Sequence, residues 1–168
     1  VGGKRKVARR NIPRLTEKEI TDYIVGRFEE VKKSRKVGAL VSFQAMNKYM
    51  IMSKDQEQLR ILGSIVAKYK KGTIKETIEE YERHLKKALA KSPTTKMHYN
   101  VILHIFGYFS KYFGQNEREE FLRLLEEFKK DKIAVGEVLA EISPMVYRFN
   151  NTYLASQSYF LLYSDIYN

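Results

Sequence analysis

The stretch His98 to Phe109, read His-Tyr-Asn-Val-Ile-Leu-His-Ile-Phe-Gly-Tyr-Phe, gathers polar, chemically versatile side chains at helical spacing. Asn100, His104, Gly107 and Lys111 step by four, three and four residues, so they share one helix face. Ile102, Ile105, Phe109 and Phe113 fall on the opposite face, which reads as a core stripe. One side of this helix is therefore expected to be buried and the other to offer an amide, an imidazole and an ammonium group. Glycine in a helix interior costs about 1 kcal/mol relative to alanine. Close approach of another helix, a ligand or a nucleic-acid backbone at Gly107 would account for it. His98 lies on the apolar side and reads as a hydrogen-bonded core residue, whereas His104 belongs to the polar face.

Two further segments carry candidate chemistry. Residues 37–52 read as one helix that is apolar almost all round, and such a helix is central to a fold. On one strip of it stand Gln44, Asn47 and Lys48. A lysine there must reach water, pair with an acid or line a pocket for an anion. With Gln157 these residues form a candidate pocket. The segment from Ser92 to Lys96 combines a helix start with Thr94, Thr95 and Lys96, which suits anion binding as well as ordinary capping.

Several chemistries are not supported. The chain has no cysteine and only three histidines, and His98 and His104 fall on different helix faces. No metal ligand set, serine triad, phosphate-binding glycine loop or pair of carboxylates in an apolar setting is readable. No complete catalytic set is expected, and no cofactor. With no run of about 18 apolar residues and no signal-peptide pattern, the expectation is a soluble cytoplasmic protein without a membrane span.

At 168 residues, 43% hydrophobic and 30% charged, the chain has the size and composition of one globular domain. Its lysine- and glutamate-rich, cysteine-free composition also suits a thermophile. The net charge of +11 is unevenly placed. Residues 1–14 hold Lys4, Arg5, Lys6, Arg9, Arg10 and Arg14 and no acid, a flexible basic arm (residues 1–15) on a mildly basic body (residues 16–168). That distribution is the electrostatic form of many nucleic-acid binders.

The elements that must position these residues are helical. With three prolines, nine glycines and no sustained period-two alternation, an all-α fold is expected. Thr16 and Glu19 form a capping box that opens a first helix with Ile20, Ile24, Phe28 and Val31 inward. Residues 37–52 follow, then a helix capped at Ser53 and ended by Gly72, and one from Thr73 with Ile78, Tyr81, Leu85 and Leu89 inward. The fifth, residues 94–113, is the polar-faced helix. A sixth is capped at Asn116, a seventh starts near Val135, and an aromatic tail from Tyr153 suits a short packed helix. The expectation is one compact domain of about seven or eight helices.

Four separated motifs then resemble the YbgA-like family, a helical domain of unknown function. They are Phe43-x4-Lys48 with the apolar run to Met52; Leu59-Arg60-x-Leu62-Gly63-x-Ile65-Val66-Ala67; Thr94-x-Lys96-x-His98-x-Asn100-Val101-x-x-His104-x-x-Gly107-Tyr108-Phe109; and Tyr153-Leu154-x-x-Gln157-x-Tyr159. The chain departs from the family pattern at Gln44, Asn47 and Lys54, where histidine is frequent. Members of the family occur alone or behind a cysteine-rich domain that resembles Fe–S desulfidases acting on thiolated uracil bases. The resemblance implies that the helical domain presents an RNA, tRNA above all, to such an enzyme. Residues 11–36 resemble the joining stretch of fused members, and a stand-alone member and the tail of a fusion both fit.

The leading expectation is thus a nucleic-acid-binding accessory domain for structured RNA. The arm residues with Lys96 and Lys111 would contact phosphates, while Asn100, His104 and Tyr108 would supply hydrogen bonds or stacking. One alternative is a small-molecule-binding domain or enzyme built on Gln44, Lys48, Asn100, His104 and Gln157. Another is a structural domain that binds a protein partner.

Overall fold

The computed structural model describes residues 15–148 and 152–164. Ten α-helices and no strand occur among the described residues. They are α1 (Glu17–Ser34), α2 (Val37–Met46), α3 (Lys48–Lys54), α4 (Gln56–Ala67), α5 (Ile74–Leu89), α6 (Thr95–Phe109), α7 (Gln115–Lys129), α8 (Val135–Arg148), α9 (Thr152–Ala155) and α10 (Ser158–Tyr163). A 3₁₀ turn, Ser110–Tyr112, extends α6. The basic arm lies outside the described residues.

Local signals set several helix ends. The Thr16 hydroxyl accepts from Glu19 N at 3.1 Å, and the Glu19 carboxylate accepts from Thr16 N at 3.0 Å, completing the capping box. Thr94 caps α6 by accepting from Met97 N at 3.2 Å. Gly72 takes a φ of 90° in the turn between α4 and α5, a conformation that glycine adopts without a Cβ penalty. Two expected caps are elsewhere. Ser53 lies buried inside α3, donating to Met50 O at 2.6 Å, and Asp55 caps α4 instead, accepting from Gln58 N at 3.1 Å. Gly114, and not Asn116, precedes α7.

The apolar side chains form two cores. The first joins α1, α2, α4 and α5, with Phe28 stacked on Tyr81 and Phe43 set edge-on to both. The second joins α6, α7, α8 and the C-terminal helices around Ile102, Ile105, Phe121 and Leu139. Helix α3 belongs to both, sending Met50 and Ile51 into the first and Tyr49 and Met52 into the second. Every residue from Tyr49 to Lys54 is buried.

The helix expected over residues 37–52 is therefore central only in its second half. Val41 and Met46 of α2 are exposed, and the chain breaks at Asn47. The C-terminal segment makes that break stable. Gln157 donates through Nε2 to Ala45 O at 2.6 Å and accepts at Oε1 from Tyr49 N at 3.3 Å. One side-chain amide thus serves a carbonyl near the end of α2 and an N–H in the first turn of α3, groups that a helix break leaves without helical partners. Asn47 donates to Phe43 O at 2.9 Å and accepts from the Ser158 hydroxyl at 2.7 Å.

Candidate functional site

Helix α6 separates its residues by burial much as its sequence periodicity predicts. Val101, Ile102 and Ile105 are buried and Phe113 is half-buried, while Leu103, His104, Gly107 and Tyr108 are exposed and Asn100 is half-buried. Lys96 near its start and Lys111 just beyond its end are exposed as well. The Lys111 ammonium sits 5.0 Å from the ring centroid of Tyr112, itself exposed. The face is a ridge with Lys96 and Lys111 toward its ends, the His104 imidazole and Tyr108 between them, and Tyr112 just beyond.

Gly107 is open. A Cβ built there would meet nothing within 4 Å. The expectation that a neighbouring helix packs against it is not met, because α7 lies against the opposite, apolar side of α6 through Phe106, Phe113 and Phe121. Tyr108, next along the ridge, is held from below. Its ring lies 6.1 Å from that of Tyr153, and its hydroxyl is an electrostatic neighbour of Tyr49. Burial raises the Tyr49 phenol pKa above the ordinary range, and the neighbouring Tyr108 and Tyr153 hydroxyls add to that shift. Lys48 Nζ stands 5.9 Å from the Tyr49 ring centroid. The polar strips of α3 and α6 thus meet through tyrosines.

Gln44, Asn47 and Gln157 are used inside the fold. Gln44 accepts from the hydroxyl of Tyr81, and Asn47 and Gln157 splice the α2–α3 break. None of these three, nor Lys48, lines either of the two concavities described here. The arm residues Lys4, Arg5, Lys6, Arg9, Arg10 and Arg14 lie outside the described residues.

The larger concavity, about 500 Å³, lies between the start of α6 and the α7–α8 connection. Its polar walls are Thr95, His98, Asp131, Lys132 and Glu137, and Phe128 supplies an apolar wall. The smaller, about 270 Å³, runs beside α4 and includes Arg60, Ser64, Lys68 and Thr77. His98 is 8% exposed, as a core histidine should be, and its Nδ1 lies 2.6 Å from the hydroxyl of the fully buried Tyr159. Burial pushes its pKa down to about 4; Glu17 opposes that shift and Lys54 reinforces it.

Behind His98 lies a cluster that periodicity does not reveal. Lys54 Nζ pairs with Glu17 Oε2 at 3.0 Å, and the Tyr163 hydroxyl donates to the same carboxylate at 2.9 Å. Tyr163 also packs its ring edge 5.0 Å from His98. The one sequence signal was Lys54 itself, a lysine closing an uninterrupted buried-type run. Its partner is 37 positions away on another helix. Among the described residues no three His, Asp or Glu side chains converge as a metal site requires, and no helix is long and apolar enough to cross a membrane.

Comparison with known proteins agrees with the motifs. The model of a family described as "Protein of unknown function (DUF1722)" matches residues 48–164, from the first residue of α3 to just past α10. The chain is 23% identical over 132 residues to the Escherichia coli (strain K12) protein named "Uncharacterized protein YbgA", covering 78% of each chain. No solved structure matches. The family match begins at α3 and includes the α6 ridge, His98 and the Gln157 splice, and it leaves α1 and α2 outside.

Proposed function

Because this chain belongs to the YbgA-like family of proteins of unknown function (DUF1722), we propose from its own surface that it is a nucleic-acid-binding accessory domain. In this reading it takes structured RNA of the tRNA kind and offers it to a partner enzyme, such as a thiouridine desulfidase. The observation that carries the reading is the open α6 ridge. Lys96, His104, Tyr108 and Lys111 are exposed along one face, and the backbone at Gly107 is bare. Cations at that spacing suit phosphates, tyrosine rings suit unstacked bases, and a bare glycine lets a sugar–phosphate chain come close. The net charge of +11 supplies long-range attraction. The partner enzyme rests on the family resemblance.

The test is filter binding of tRNA to the full chain, with duplex DNA and heparin as comparisons, across a salt series. If about five phosphates are neutralised, log K falls with log salt at a slope of roughly −3.5 to −4.5. Removal of residues 1–14 weakens binding and leaves the melting temperature unchanged. No binding of tRNA at about 50 mM salt overturns the reading. Equal affinity for heparin reduces it to general polyanion attraction.

A further inference from the structure

The α6 ridge makes no use of the cavity walled by His98, and the chemistry of that cavity differs from the ridge's. At about 500 Å³ its volume falls within the range of about 300–1,000 Å³ typical of small-molecule sites. Its side chains mix donors with acceptors. Thr95 donates to Asp131 Oδ1 at 3.2 Å, so its hydroxyl proton is already used. Asp131 holds a left-handed backbone, φ 56°, which aspartate and asparagine tolerate better than most residues. Among the described residues, the lining holds two carboxylates, Asp131 and Glu137, and one ammonium, Lys132. That balance disfavours a phosphate or carboxylate ligand.

His98 supplies a donor, by elimination. The Tyr159 hydroxyl is fully buried, and among the described residues its one hydrogen-bond partner is His98 Nδ1. If Nδ1 carried the proton, the phenolic hydrogen would be left buried without an acceptor, at a cost of about 1–3 kcal/mol. Tyr159 therefore donates and Nδ1 accepts. The imidazole, neutral at pH 7 because of its burial, then carries its proton on Nε2. With Nδ1 turned onto Tyr159, and with Nε2 not among the enclosed polar atoms that lack a partner, the Nε2–H edge is the polar group left to His98 for the cavity it lines.

We propose that this cavity binds a small uncharged molecule carrying a lactam edge, a carbonyl oxygen beside a ring N–H, as a pyrimidine base does. The carbonyl accepts from His98 Nε2–H, the ring N–H donates to a carboxylate of Asp131 or Glu137, and Phe128 covers an apolar face. This proposal stands on the cavity alone and does not depend on the α6 ridge, so tRNA binding and lactam binding can fail separately.

The experiment is NMR on the full chain labelled at its histidine rings, titrated with uracil, with fully N-methylated dimethyluracil and with inorganic phosphate. Uracil is expected to shift the His98 Nε2 signal and leave His104 in place. Dimethyluracil, which keeps both carbonyls and lacks the N–H, binds at least about tenfold more weakly, the loss of one charge-assisted hydrogen bond. The double variant Asp131→Asn, Glu137→Gln weakens uracil by a similar factor, and its amide spectrum reports whether it folds. Should it fail to fold, the comparison of the two uracils on the unaltered chain still decides. Absence of a His98 response to uracil overturns the proposal, as does equal binding of dimethyluracil or a stronger response to phosphate.

Discussion

Lys54 Nζ lies 3.0 Å from Glu17 Oε2, tying the last residue of α3 to the first residue of α1. The two ends of this pair are not equivalent. The Lys54 side chain is 0% exposed and the Glu17 side chain 41% exposed, so the ammonium depends on the carboxylate far more than the reverse. The Tyr163 hydroxyl completes the carboxylate's shell from α10. One anion thereby holds the N-terminal helix, the central helix and the C-terminal helix together.

Loss of either partner should therefore have unequal effects. Glu17→Gln leaves a buried charge without a counter-charge and is expected to destabilise by about 3 kcal/mol. Lys54→Met removes the charge, fills similar space and leaves Glu17 in contact with water, and is expected to cost about 1 kcal/mol or less. Chemical denaturation of both variants and of the double variant checks this. Equal losses from the two single changes would show that the pair acts as an ordinary surface bridge.

Acid stability should carry the signature of His98. The folded protein holds its pKa down to about 4 from the ordinary 6.5, chiefly by burial. Between those values the unfolded chain binds a proton that the folded chain refuses, so stability falls as pH drops. The contribution is fully present above pH 6.5 and is lost progressively down to about pH 4. It amounts to about 3 kcal/mol over the whole window. Denaturation midpoints measured from pH 7 to 5 for the unaltered chain and for His98→Phe should differ in slope, with the variant flatter. Parallel curves would mean that carboxylates alone carry the pH dependence.

The two histidines of α6 should separate folding from binding. His98→Ala removes a buried hydrogen bond to Tyr159 and ring contacts with Phe128 and Tyr163, and is expected to lower stability by about 1–3 kcal/mol. His104→Ala alters an exposed position and should leave melting within about 0.5 kcal/mol of the parent while weakening RNA binding. Melting curves and tRNA titrations of both variants read this directly. Unfolding on loss of His104, with His98→Ala stable, would reverse the assignment.

Gly107 offers a test in which stability and function should move in opposite directions. Its helical position and the open space around it predict that Gly107→Ala raises stability by about 1 kcal/mol. If a nucleic-acid backbone approaches there, the added methyl group weakens tRNA binding at the same time. A more stable variant with unchanged affinity would place the RNA elsewhere on the surface.

Much of this molecule is written locally. The Thr16–Glu19 box, the Thr94 cap and the inward stripe of Ile20, Ile24, Phe28 and Val31 depend on residues within a turn or two of one another, and each appears where the spacing places it. The same holds for the two faces of α6, since periodicity alone determines which side chains leave the helix together. The family resemblance was also legible, because its motifs are short and typed at fixed spacing.

Other features depend on segments that meet only when the chain closes. Residues 37–52 have no local stop signal, and their helix breaks at Asn47 because Gln157, more than a hundred positions away, serves backbone groups on both sides of the gap. Lys54 looks like any lysine at the end of a helix until Glu17, itself held by Tyr163, pairs with it. His98 was placed in the core by its face, yet its neutral state follows from burial by the packed chain and its donor edge from Tyr159, 61 positions along. Helical faces follow from bond geometry repeated every few residues. Burial of a polar group follows from which distant partner arrives to satisfy it, and that depends on the packing of the whole chain.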